Sequence, residues 1–293
     1  MAAVDPVVAA TRGPLREDRP VRWWALLAVP GLGFLTVFFV APLLVVVVRS
    51  VTDPSPVNYA EVFGSPTYLT VLAVTGRTAA VVTASCLLLG YPYALALRRA
   101  GRWLHVTLLA AVLVPFWSSL LVRTYAWTVL LRDTGVVNQA VQGLGLTDGP
   151  IPLLRNSVGV TIGMTHVLLP FMVLPVYAAL ARIPSDVLDA ASGLGGPVVV
   201  FRRVLMPLSA PGALAGCLLV FGFSLGFYLT PALLGGPGHW MFAQLVVDAF
   251  SARLRFGLGS ALALVLLGAA LACVAAAVRM LRTLDVFGIR GSR

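Results

Sequence analysis

Few residues of this chain could take part in bond-making, and their settings argue against it. Gly222-Phe223-Ser224-Leu225-Gly226 has the G-x-S-x-G spacing of a nucleophile elbow. That motif works only where a strand turns sharply into a helix and lifts the serine above a sheet. Here it lies inside an apolar run. Its glycines are four apart, as are Gly212 and Gly216, a spacing that suits close packing of membrane helices within the chain or against a partner. Cys86, Cys217 and Cys273 sit in separate apolar runs and predict small buried hydrophobes, not a disulfide framework or a metal site. His166 reads as a hydrogen-bonded buried histidine, while His105 and His239 lie near run ends and form no pattern. All 21 basic residues are arginine. Without lysine, a Walker-type phosphate loop and Schiff-base catalysis are excluded. No catalytic residue, metal ligand set or cofactor is expected.

The elements that hold these residues are set by composition. Of 293 residues, 59% are apolar and 11% charged, where a soluble domain carries roughly 25% charged residues. The polar surface is too small to cover a water-soluble globule. The net charge of +10 does not imply nucleic acid, because the arginines stand singly or in small groups between apolar runs instead of clustering on a soluble face. Six runs are near the ~20 residues that span a ~30 Å hydrocarbon layer: about 24–48, 70–97, 104–121, 158–180, 205–229 and 259–278. The first is too long for the core of a cleaved signal, which runs ~7–15 residues. The expected fold is all-α: a polytopic membrane protein of six helices over 24–280, with tails at 1–23 and 281–293. Pro30, Pro42, Pro92, Pro115, Pro170 and Pro175 interrupt the runs, which membrane helices tolerate where neighbours re-satisfy freed carbonyls. With the N-terminus inside, 14 arginines fall on inner segments and 7 on outer ones, so the positive-inside rule places both termini in the cytoplasm. The stretches at about 49–69, 122–157 and 230–258 then read as long outer loops.

One inner loop, about 183–204, has a pattern of its own. Ser185 after Pro184 can cap a helix, and Asp186 and Asp189 suit the positive end of a helix. Ala190 and Ala191 are small enough to let another surface approach the backbone. Gly195-Gly196-Pro197 breaks the helix, and a second short piece leads to Met206-Pro207 at the next span. Two short amphipathic pieces on the inner face are expected.

This loop resembles the EAA loop of ABC importer permeases: an acid, two alanines, a glycine six residues after the acid and an apolar-Pro entry are filled by Asp189, Ala190, Ala191, Gly195 and Pro207. Aspartate stands where glutamate is usual, and Gly195 to Pro207 is one residue shorter than the common spacing. A narrower likeness covers most of the chain. Leu89–Ala94 (LGYPYA), Pro115–Trp127 (PFWSSLLVRTYAW) and Thr230–Pro237 (TPALLGGP) are similar to the spermidine/putrescine-type permeases. The resemblance implies a subunit of an ATP-driven, binding-protein-dependent importer in a bacterial cell membrane, with ATP hydrolysis on a separate chain. The implied partners are a dimer of ATP-binding subunits, a second and different permease, an extracytoplasmic solute-binding protein and membrane lipid. The EAA-type loop would be the piece that docks in the ATPase. The implied solute is a polyamine or a related organic compound.

Polycations call for carboxylates or aromatic faces along their path. Tyr125, Trp127, Tyr228 and Asp248 are the expected path residues, although no acid precedes Thr230, where relatives often carry one. Arg123 is expected to pair structurally or to snorkel to the interface. The competing reading, a secondary transporter driven by an ion gradient, predicts internal repeats and ionisable groups at the bilayer midplane.

Overall fold

The computed structural model describes residues 22–53, 55–193 and 195–286. The expected tails at 1–23 and 281–293 fall outside the described residues except for 22–23 and 281–286, which are helical. Residues up to Val48 and residues from Arg49 onward form separate compact units. The first unit holds α1 (Arg22–Leu35), a wide π-helical turn (Thr36–Val40) and the start of α2 (Ala41–Thr52). The wide turn ends two residues before Pro42. A proline ring clashes with the carbonyl four residues back, and an extra residue in the turn relieves that clash.

The second unit is built on three long apolar helices, α4 (Pro66–Arg99), α8 (Ser157–Ala181) and α11 (Met206–Leu225), packed on one another. Val82, Cys86, Met164, Leu168, Met172, Val173, Val176 and Val220 form their common core. Glycines let the backbones close up. A Cβ added at Gly90 would lie 2.9 Å from Met172 Cγ, and one at Gly216 2.7 Å from Met172 Sδ. One at Gly212 would strike Ala179 and the Pro175 carbonyl. Gly212 and Gly216 thus make the close seam between α11 and α8 that their spacing suggested.

The run at 104–121 is not one straight helix. α5 (Arg102–Leu113) passes through a 3-10 turn (Val114–Trp117), and α6 (Leu120–Leu130) then leaves at 104°. Pro115 lacks the amide that would continue the helix. Ser118 and Ser119 turn extended, with Ser118 Oγ donating to the Pro115 carbonyl at 2.8 Å. Five helices among the described residues are long and apolar enough to cross a membrane, and this bent pair would make a sixth span.

The stretches expected as outer loops are largely helical: α3 (Val57–Gly64), α7 (Val136–Gly143), α12 (Leu229–Leu234) and α13 (Phe242–Ser251). The two short pieces expected at about 183–204 are α9 (Ser185–Ser192) and α10 (Pro197–Val200). α13 buries Phe242, Leu245 and Ala249 against Val62, Tyr68 and the first turns of α14 (Phe256–Val286). Thr75 Oγ1 accepts from the Phe242 amide at 2.8 Å and fixes α13 to α4. The bundle therefore has an α13 end, where α4, α8 and α14 begin, and an α9 end, where α4 and α8 finish and α11 starts. No strand occurs among the described residues.

Candidate functional site

A cavity of about 450 Å³ opens where α5 breaks from α6, between that corner, the middle of α8 and the last turns of α11. Phe116, Phe171, Phe223 and Phe227 line it. The Phe171 ring stands edge-on to Phe116 (centroids 5.4 Å apart, 74°) and to Phe223 (4.8 Å, 61°). Gly222 and Gly226 are in the same wall, and a Cβ on either would meet nothing within 4 Å. These glycines keep space open instead of closing a seam. Arg123 completes the wall. Its Nε is buried without a hydrogen-bond partner among the described residues, so it neither pairs nor reaches free solvent through that atom. The cavity can hold an organic cation against ring faces, whose quadrupoles are negative. It offers no carboxylate, nucleophile or base with which to transform it.

The expected path residues are elsewhere. Trp127 is half-buried and donates from Nε1 to His166 Nδ1 at 3.2 Å, with the rings edge-to-face at 5.7 Å. This gives His166 the hydrogen bond expected of it. Tyr125 and Tyr228 are exposed and line no part of this cavity. The Asp248 carboxylate accepts from Arg253 Nε at 2.7 Å, and its carbonyl accepts from the amides of Ala252 and Arg253; it closes the end of α13. The four phenylalanines went unread in the sequence, yet each follows a helix breaker: Pro115-Phe116, Pro170-Phe171, Gly222-Phe223 and Gly226-Phe227.

At the α9 end, Asp186, Val187, Asp189 and Ala190 are exposed on α9, whereas Leu188 packs against the core and Ala191 is half-buried. Ser185 does not cap this helix. Pro184 takes the cap position, and Ser185 Oγ donates to Asp186 Oδ1 at 3.3 Å instead. The chain turns at Gly195-Gly196, where a Cβ on Gly195 would crowd Val199 at 3.0 Å. α10 then runs without a break through a π-helical turn (Phe201–Leu205) into α11. That wide turn ends two residues before Pro207, the arrangement already seen before Pro42. Arg98 Nη2 donates to the Ile183 carbonyl at 2.8 Å and ties the α8–α9 junction to the end of α4. Tyr91 binds Ser209 Oγ at 2.7 Å and meets the Phe201 ring edge-on at 5.8 Å. The segments LGYPYA and 201–209 therefore touch. So do the other two sequence motifs, through Thr124 Oγ1 and Thr230 Oγ1 at 3.2 Å.

No family model matches the chain. Curated relatives do. The spermidine/putrescine transport system permease protein PotB of Haemophilus influenzae is 34% identical over 208 residues, 71% of this chain and 72% of that protein. PotB of Salmonella typhimurium strain SL1344 is 35% identical over 194 residues, 66% of this chain and 67% of that protein. The chain belongs to the ABC importer permease family, with spermidine/putrescine-type permeases as its relatives. The permease also shares its fold with a chain of the bacterial alginate ABC transporter, crystallised with an alginate pentasaccharide-bound periplasmic protein. That match has a TM-score of 0.73 at 17% identity and covers 89% of this chain and 95% of the other. The permease is a multi-pass membrane protein and a transport component.

Proposed function

We propose that this permease forms part of the gated path of a binding-protein-dependent importer for a small organic polycation of the polyamine type. The observation that carries the solute class is the phenylalanine-lined cavity at the broken span. Cation–π attraction holds an ammonium group in an apolar setting without a fixed anion to trap it. The names of the PotB relatives support the same class. Arg123 in the wall repels each ammonium that enters, which opposes the ring attraction and favours passage over retention.

The coupling residues are Asp186, Asp189 and Ala190 on the exposed face of α9 and the half-buried Ala191 at its edge, with Gly195 setting the turn and Pro207 the entry to α11. A dimer of ATP-binding subunits grips this face, and a second, different permease pairs with the chain. A loaded binding protein docks at the α13 end. The arginine bias supports the α9 end and both termini lying in the cytoplasm. Closure of the ATPases pushes α9. Arg98 passes the push to α4, while the continuous helix from Pro197 passes it to α11, whose far end carries Phe223. Hydrolysis on the partner chains then resets the inward-facing state.

Two measurements test this. Ala190→Arg places a bulky cation on the exposed α9 face and abolishes co-purification with the ATP-binding subunit; retained association sinks the docking role. Phe171→Ala removes the ring shared by both aromatic contacts and lowers uptake of labelled spermidine by the assembled importer about tenfold, the scale of one desolvated cation–π contact. Unchanged uptake, with normal expression, sinks the cavity as the path.

A further inference from the structure

A second cavity, of about 430 Å³, lies at the α13 end on the side of α4 and α8, lined by residues on which the proposed transport cycle makes no demand. Arg77, Thr78, Ser157 and His239 form its polar wall. Arg77 is exposed and has no carboxylate partner among the described residues. Among the described residues the hydroxyls of Thr78 and Ser157 have no hydrogen-bond partner, and His239 Nδ1 is buried without one. No acid lines the cavity. Four side chains able to donate, one of them cationic, face a shared space that holds no acceptor of matching charge. The first amides of α8 do not add to this set, because Asn156 Oδ1 already accepts from Val158 and Gly159.

The position of Arg77 names the ligand. It precedes Arg98 by 21 positions on the unbroken helix α4, about 31 Å at ~1.5 Å per residue. That matches the ~30 Å hydrocarbon thickness. With Arg98 and Arg99 at one boundary, Arg77 stands at the other, the level of lipid phosphates. Below it the cavity rim is apolar and exposed, at Val81 and Val158, as acyl chains require. We infer that this cavity binds the phosphate of a phospholipid headgroup, with Arg77 as its charge partner and Thr78, Ser157 and His239 as donors. A guanidinium–phosphate contact is charge-assisted and stronger than a neutral hydrogen bond.

The test uses the purified full-length chain in detergent, titrated with phosphatidylglycerol and read by native mass spectrometry. Wild type retains the lipid. Arg77→Gln loses about tenfold in apparent affinity, and Arg77→Lys, which keeps the charge, loses far less. Diacylglycerol, with the same chains and no phosphate, is not retained. Displacement by millimolar inorganic phosphate supports the anion site and assigns it to soluble phosphate; failure to displace assigns it to the lipid. Equal retention by Arg77→Gln and wild type, or equal retention of diacylglycerol, overturns the site. None of these outcomes depends on which solute is carried.

Discussion

α11 and its C-cap residue carry two glycine pairs at the same four-residue spacing, and the two ends of the helix use them in opposite ways. At the α9 end, Gly212 and Gly216 are pressed against Pro175, Ala179 and Met172. At the α13 end, Gly222 and Gly226 face empty space beside Phe223 and Phe227. Helical phase explains the difference. At about 100° per residue, the step from Gly216 to Gly222 rotates the bare stripe by roughly 120°, off α8 and toward the corner where α5 breaks. One helix thus seals the bundle at one end and leaves it open at the other. Small-residue spacing gives permission for close approach, and only the neighbours decide whether it is used.

The largest expected effect breaks this pairing. Gly216→Leu must force Met172 aside, side chain and backbone both. Overpacking of this kind costs about 1–3 kcal/mol or more, so the protein should lose its monodisperse peak on size-exclusion chromatography. Gly222→Leu meets nothing at its Cβ and should fold as wild type, yet its side chain fills the cavity and uptake should fall by more than tenfold. The contrast fails if Gly216→Leu behaves normally in detergent or if Gly222→Leu transports normally.

What could be read from the sequence divides along the same line. Run length and charge located every long helix to within several residues, because a ~30 Å apolar layer imposes its period on any chain that crosses it. The break between α9 and α10 at Gly195-Gly196-Pro197 was legible because glycine and proline act locally. The break of α5 from α6 was half legible: Pro115 marked it, but the 104° departure depends on Ser118 and Ser119 turning extended. The cavity was not legible. Aromatic residues with polar tips, Tyr125, Trp127 and Tyr228, looked better suited to a solute. The cavity is lined by plain rings instead, each beside a Pro or Gly that removes backbone or side-chain bulk and leaves room. Asp248 shows how a local partner can go unread. An acid in an apolar stretch suggests function, while its partner Arg253, five residues on, lay in the next turn.

A smaller effect sharpens the open end. Thr124 Oγ1 donates to the Leu120 carbonyl at 2.9 Å, so its single proton is committed, and Thr230 must donate in their contact. Both side chains are buried. Thr230→Val keeps the shape and removes the donor, costing about 1 kcal/mol, a fall of roughly 2–4 °C in thermal midpoint for a chain this size. Thr124→Val should cost a similar amount, and the double variant little more than either alone, because the two share one bond. Full additivity would mean that α6 and α12 are held together by something other than this contact.

The smallest effect lies furthest from the glycines. Arg255, just before α14, holds Glu61 of α3 through two contacts, Nη1–Oε1 at 2.8 Å and Nη2–Oε2 at 2.6 Å. The hydrogen bonds from Arg255 pull the Glu61 carboxyl below its ordinary value, against partial burial, which raises it. A carboxyl lowered by folding stabilises the folded state above its unfolded value of about 4.3, and that contribution is lost as pH falls through the folded value. Both side chains are a third or more exposed (34% and 44%), so the pair is screened and contributes at most about 1 kcal/mol. Glu61→Gln should therefore unfold slightly earlier than wild type above roughly pH 5, with the gap closing below pH ~4 and shrinking in high salt. A gap that survives acid would mean that Glu61 acts through packing of α3 on α14 and not through charge. The α13 end would then be held, like the α9 end, by packing and uncharged-acceptor hydrogen bonds and not by an ion pair.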